Sequence, residues 1–303
     1  MKLVFMGTPA FAATCLERLA RENHEILAVY TKPDTPKNRG MKLIPSEVKQ
    51  MALELGIPVL QPTTLREEET IQQLREFSPD LIVVVAYGKL LPQAVLDIPP
   101  YGCINIHGSL LPQLRGAAPV QWAVLSGMTR TGVTAMYLSA GMDEGDMIAT
   151  AETEISETES AGQLMDRLAV LGAELLCDTV KAIGEGNAQR IPQDPAKATY
   201  APMLTRELSP VDWNRPGRMI VRQFHGLDPW PAAFATLAGT EFKLFDGVPV
   251  TLNPPVLPGK IVEQRKDGLV VSCADGGVLI TCLQAQGGKR MSAADYFRGH
   301  PLA

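Results

Sequence analysis

The chain reads as an α/β protein. A doubly wound, mostly parallel sheet forms its N-terminal domain, and a smaller C-terminal β-barrel, OB-like, follows. Three observations predict this. Up to Gly184, apolar runs of strand length alternate with segments of helical spacing. The stretch from Arg190 to Pro216 is rich in proline and has no periodicity, as a linker would. Beyond it, glycine and proline punctuate short alternating segments, the pattern of a small barrel. A length of 303 residues suits two domains. We expect an N-terminal domain over 1–189, a linker over 190–207 and the barrel over 208–303.

The elements follow in order. Lys2–Met6 is a first strand, and Gly7-Thr8-Pro9 turns it into a helix over Phe11–Arg21. Ile26–Tyr30 is a strand, Ser46–Leu55 a helix, and Pro58–Leu60 a short strand. A charged helix over Glu67–Phe77 leads into Leu81–Val85, whose unbroken apolar run suits a strand buried on both faces. Strands at Cys103–Ile106 and Thr131–Leu138 flank a helix over Ala118–Leu125, and a long helix, Ala161–Gly184, closes the domain. The barrel is expected from a helix over Arg218–Phe224 and strands at Phe242–Phe245, Gly259–Gln264, Gly268–Cys273 and Val278–Gln284.

Composition narrows the function. The chain is 46 % hydrophobic and 20 % charged, which suits an ordinary globular protein. Its longest strand-like run, Leu81–Ala86, is far short of the roughly 20 residues a spanning helix needs. The N-terminal run meets Gly7 too soon for a leader core. Five scattered cysteines with no Cys-x-x-Cys pair, and four histidines, indicate neither a disulfide framework nor a metal site. A cytoplasmic protein without membrane contact is expected. The net charge of −5 argues against whole-molecule nucleic-acid binding, yet from Arg206 onward 11 Lys and Arg face 9 Asp and Glu. The first turn lacks the Gly-x-Gly-x-x-Gly fingerprint, and no acidic residue closes the second strand, so a nicotinamide enzyme is disfavoured.

The chemistry concentrates in Gly102–Gly116. Asn105 and His107 are two apart on a strand, so both side chains leave one face at a carboxyl end, where open α/β sheets bind ligands. An amide donor beside an imidazole can polarise a carbonyl and move a proton. The same pair could equally be an ordinary core strand with one satisfied histidine. Thirty-five residues on, Met136–Ile148 brings Asp143 and Asp146 in a glycine-flanked loop.

Together these segments resemble the folate-dependent formyltransferases. The family's Asn-x-His-x-Ser-Leu-Leu-Pro-x-x-Arg-Gly run is present without a gap from Asn105 to Gly116, and its loop aspartate falls on Asp143. Met6–Ala12 resembles the opening of the tRNA-specific branch. Lys32–Lys49, a basic loop, resembles the insertion with which that branch grips the acceptor stem. Asp228–Phe234 resembles the Pro-Trp-Pro-Gly-Ala signature of its C-terminal domain, with Ala232 in place of the glycine. Gln286–Met291 resembles the family's last strand and turn.

The resemblance implies formyl transfer from 10-formyltetrahydrofolate to the amine of an initiator methionyl-tRNA, without a metal. It implies Asn105, His107 and Asp143 as catalytic residues. Arg115 is expected as a structural clamp on the loop rather than an acid, because a guanidinium hardly deprotonates. Tyr87, Gly88, Leu90, Leu91, Ser109, Leu110, Leu111, Pro112, Leu138 and Asp143 would wall the folate site. Lys37, Arg39, Lys42, Lys289 and Arg290 would meet tRNA. Trp230 is expected in the core, since tryptophans are mostly buried. A monomer with no obligate protein partner is expected. The alternative acceptor is a nucleotide-linked amino sugar.

Overall fold

The structure, a computed structural model, describes residues 1–37 and 42–300. In chain order the elements are β1 (Lys2–Gly7), α1 (Ala10–Leu19), β2 (Glu25–Tyr30), β3 (Thr35–Lys37), β4 (Lys42–Ile44), α2 (Glu47–Glu54), β5 (Val59–Leu60), α3 (Glu68–Glu76), β6 (Leu81–Val85), α4 (Gln93–Leu96), β7 (Cys103–His107) and β8 (Arg115–Gly116). Then come α5 (Pro119–Leu125), β9 (Arg130–Tyr137), β10 (Met147–Glu154), α6 (Ala161–Gly184), β11 (Tyr200–Ala201), α7 (Gly217–Gly226), β12 (Ala233–Leu237), β13 (Thr240–Val250), β14 (Ile261–Arg265), β15 (Gly268–Cys273), β16 (Gly276–Ala285), β17 (Met291–Ser292) and α8 (Ala293–Gly299). They group into two compact units that interleave along the chain: 1–116, 130–154 and 165–201 form the first, and 117–129, 155–164 and 202–303 the second.

The first unit is built on a seven-stranded sheet of order β10-β9-β7-β6-β1-β2-β5. From β5 to β7 all neighbours are parallel; β9 and β10 then run antiparallel. β6 is buried at every residue, as its apolar run requires. β1 pairs with β2 on one side and β6 on the other, so strand order reverses there and opens a crevice at the carboxyl ends. Gly172 on α6 permits close packing over that end of the sheet. A Cβ at Gly172 would stand 3.0 Å from Ile106 and 3.3 Å from Phe11, and Ile106 lies between Asn105 and His107.

Two expectations change here. The loop 32–49, expected as irregular, contains a hairpin: β3 pairs with β4, Thr35 opposite Ile44 and Pro36 opposite Leu43. Its base is anchored where the Lys49 ammonium reaches Asp34 at 2.7 Å and Gln61 donates to Asp34 at 2.8 Å. The strand β10 was not anticipated either; its alternating burial reflects an edge position with one face covered.

The second unit is an antiparallel sheet running β12-β13-β16-β15-β14, with β17 added to β16. Its strand path is open among the described residues, an open-sided version of the expected barrel. Ile220 and Phe224 of α7 enter its core with Phe242, Leu244, Val271, Ile280 and Phe297. Trp230 corrects the sequence reading: it is 53 % exposed. The turn 228–232 is held at its ends, by two hydrogen bonds from Arg290 to Asp228 and one from Ala232 N to Leu227 O. Its middle, Trp230, is left in solvent.

Candidate active site

β7 sits between β6 and β9, where Asn105 pairs with Val84 on one side and Met136 on the other, and His107 with Thr134. The strand ends at His107, and the chain makes a compact loop before β8. Thr134, fully buried, holds that loop: its hydroxyl donates to Ser109 O at 2.6 Å and accepts from Leu111 N at 3.1 Å. The Ser109 hydroxyl donates to Gln113 O at 2.6 Å.

His107 is 5 % exposed, and its Nε2 lies 2.9 Å from Leu114 O. A carbonyl oxygen only accepts, so this contact places a proton on Nε2 and leaves Nδ1 for chemistry. Nδ1 stands 3.8 Å from Asp143 Oδ2. The same Oδ2 accepts from Gly116 N at 2.8 Å, which fixes the carboxylate at the mouth of the loop. Asp143 itself holds a left-handed backbone, φ +53°. The Asn105 carboxamide, half-buried, has no hydrogen-bond partner among the described residues and is available to a ligand.

Asp146 turns elsewhere: its carboxylate lies 3.7 Å from the guanidinium of Arg190, which stacks on the Tyr137 ring at 3.7 Å. Arg115 is 4 % exposed and donates to Gln193 Oε1 from Nε at 3.0 Å and Nη2 at 2.8 Å, consistent with a clamp. Gln193 and Thr199 were not singled out in the sequence. Both lie in the stretch 190–207, whose composition suggests a linker, yet Thr199 accepts from Leu114 N at 2.8 Å through its hydroxyl. Neither carries a local signal, because their partners are distant in sequence.

Of the residues expected around folate, Tyr87, Leu91 and Leu138 belong to one apolar cluster with Met6, Tyr30, Ile82 and Cys103. Burial pushes the Tyr87 phenol up to about 12. Gly88 has φ +73°, and the Lys32 ammonium occupies the space its Cβ would fill. Ser109 and Leu111 are buried, Leu110 and Pro112 half-buried, and Leu90 stands out at 69 % exposure.

Of the residues expected to meet tRNA, Arg39 lies outside the described residues, and Lys37 and Lys42 pair opposite each other in the hairpin. Lys289 is exposed. Arg290 is engaged: beyond Asp228, its guanidinium stacks on Phe245 at 4.1 Å. Among the described residues, no group of three His, Cys, Asp or Glu is placed to hold a metal ion, and no helix is long and apolar enough to cross a membrane.

Residues 1–180 match the formyl transferase family, and residues 203–301 match the formyl transferase C-terminal domain. A methionyl-tRNA formyltransferase of Acetivibrio thermocellus is 48 % identical over 100 % of this chain and 97 % of its own length. One from Geobacillus sp. strain WCH70 is 46 % identical over 99 % of this chain and 94 % of its own. Among solved structures, HypX from Aquifex aeolicus in complex with tetrahydrofolic acid superposes with a TM-score of 0.65 at 19 % identity, over 98 % of this chain and 47 % of that one. WlaRD, a sugar 3N-formyl transferase, gives 0.68 at 16 %, over 95 % and 99 %. These two likenesses speak to the fold; the full-length matches at nearly half identity speak to the family. The chain belongs to the formyl transferase family, in the group of the methionyl-tRNA formyltransferases.

Proposed function

We propose that the protein transfers the formyl group of 10-formyltetrahydrofolate to the α-amine of methionine carried by initiator tRNA. The observation that carries this reading is the juxtaposition of an unpartnered carboxamide, Asn105, with an imidazole whose Nε2 is committed to Leu114 O and whose Nδ1 faces Asp143. In the reaction the amine nitrogen attacks the formyl carbon and negative charge builds on the formyl oxygen. Asn105 donates a hydrogen bond to that oxygen; one such donor is worth about 3 kcal/mol in a transition state. His107 accepts the amine proton at Nδ1, and the imidazolium so formed is stabilised by the Asp143 carboxylate. The proton then passes to the folate nitrogen as its bond to the formyl carbon breaks, leaving tetrahydrofolate and the formylated amine.

The donor would lie against the β6 turn and the 138–143 loop, with Tyr87, Gly88, Leu90, Leu91, Ser109, Leu110, Leu111, Pro112, Leu138 and Asp143 around it. Arg39, Lys37, Lys42, Lys289 and Arg290 would meet tRNA phosphate, a sequence-independent contact that positions the acceptor. The protein would work in the cytoplasm as a monomer.

The test is formyl transfer to initiator and elongator methionyl-tRNA, with Arg39→Ala beside the native protein. Fast formylation of the initiator alone, slowed at least tenfold by Arg39→Ala, is expected. Transfer to a nucleotide-linked amino sugar, with none to either tRNA, would overturn the acceptor.

A further inference from the structure

The side chain of Gln193 spends all of its hydrogen-bonding capacity inside the first unit. Its Oε1 accepts twice from the buried Arg115 guanidinium, at 3.0 and 2.8 Å, and its Nε2 donates to Asp143 O at 2.9 Å and Gly145 O at 2.8 Å. A carboxamide has two lone-pair sites and two protons, so all four are used. The two carbonyls flank Glu144 and bracket the turn that carries Asp143. That turn holds Asp143 at φ +53°, a conformation a non-glycine residue rarely adopts and keeps only where its surroundings dictate it.

Arg115 closes the circle. It precedes Gly116, whose N–H donates to Asp143 Oδ2. Gln193 thus grips the Asp143 backbone directly and the donor to its carboxylate through Arg115. The segment that carries Gln193 continues to Thr199, which binds Leu114 N through its hydroxyl and Arg115 N through its carbonyl, and then to β11, paired with β8. Leu114 O is the acceptor for His107 Nε2. Both members of the His107–Asp143 pair are therefore set from the same short stretch of chain.

We propose that Gln193 is a positioning residue for the transfer reaction: it holds the Asp143 carboxylate at the distance from His107 Nδ1 at which it can stabilise the imidazolium. This rests on the reading of His107 and Asp143 as the proton-handling pair.

The experiment compares Gln193→Met, Gln193→Glu, Asp143→Ala and Asp143→Ala/Gln193→Met in the full-length protein, measuring kcat and KM for folate donor and methionyl-tRNA. Met keeps the volume and removes all four bonds. Glu keeps the acceptor for Arg115 but sets an oxygen against the Asp143 and Gly145 carbonyls. Each single Gln193 variant is expected to lower kcat by up to about 10²-fold, the scale of an ångström of misplacement, with the KM for methionyl-tRNA within about twofold. The double variant is expected to be no slower than Asp143→Ala, because the residue acted upon is gone. A double variant slowed by the full Gln193 factor, or an undiminished kcat in Gln193→Met beside a collapsed Asp143→Ala, would overturn the role of Gln193 alone. Full turnover in Asp143→Ala would overturn the proton-pair reading together with it.

Discussion

His107 Nε2 donates to Leu114 O at 2.9 Å, a bond that spans the whole Ser109–Gln113 loop and turns the ring so that Nδ1 faces Asp143. The loop therefore sets the tautomer of the imidazole as well as its place. In the proposed mechanism, proton transfer at Nδ1 follows from that one choice.

Substitutions at the three central residues should separate folding from turnover. Asn105→Ala is expected to lower kcat by about 10²–10³-fold, the scale of losing one donor to a developing oxyanion. His107→Ala and Asp143→Ala should collapse kcat, with thermal midpoints near that of the native protein. Full activity in any of the three removes that residue from the mechanism.

Gly145 stands in the Asp143-Glu144-Gly145 run because backbone passes too close for a side chain. A Cβ there would overlap the Tyr137 carbonyl oxygen. Gly145→Ala must push the Asp143 turn away from β9, so kcat should fall by about tenfold or more, and folate binding should weaken with it because the 138–143 loop lines the proposed donor site. Steady-state kinetics beside equilibrium folate binding checks both halves.

Ala232 is a buried residue held at φ +67°, in the region that favours glycine. Ala232→Gly relieves a cost of about 1–2 kcal/mol, offset in part by the greater freedom of glycine in the unfolded chain. A net gain of about 0.5–1 kcal/mol is expected in urea unfolding. Ala232→Val should lose stability instead.

The Asp246 carboxyl is held below its ordinary value of 3.8, first by the hydrogen bond from His225 Nε2 at 2.8 Å and further by Thr281. The unfolded chain takes up this proton at higher pH than the folded one. The stabilisation is therefore complete above the ordinary carboxyl value and drains away as pH falls below it. Asp246→Asn should show a shallower loss of unfolding free energy between about pH 4 and pH 3 than the native protein. Parallel slopes would show that this carboxyl does not drive the acid limb.

Much of this was legible along the chain. Leu81–Val85 and Ala161–Gly184 match the observed elements end to end, because an apolar run and a long amphipathic period are local signals. Asn105 and His107 stand out as chemistry-bearing types two apart on a strand, but that pair alone fits a core strand as well; the family resemblance singles out Asp143 beside them. The hairpin β3–β4 was illegible, since its strand character comes from pairing with a neighbour, and β10 because its half-buried face is carried by Ala149, Ala151 and Thr153, too weakly apolar to stand out along the chain.

The amino-acid sequence by itself determined the fold class, the order of the main elements and the residue types that can do the chemistry. Only the tertiary structure decided that Trp230 faces solvent, that Asp143 rather than Asp146 stands by His107, and that the proline-rich stretch after Arg190 is tied to the loop following His107. The physical reason is range. Arg115 meets Gln193 across 78 residues and Leu114 meets Thr199 across 85, and a hydrogen bond between single polar side chains that far apart leaves no periodic trace in the chain between them.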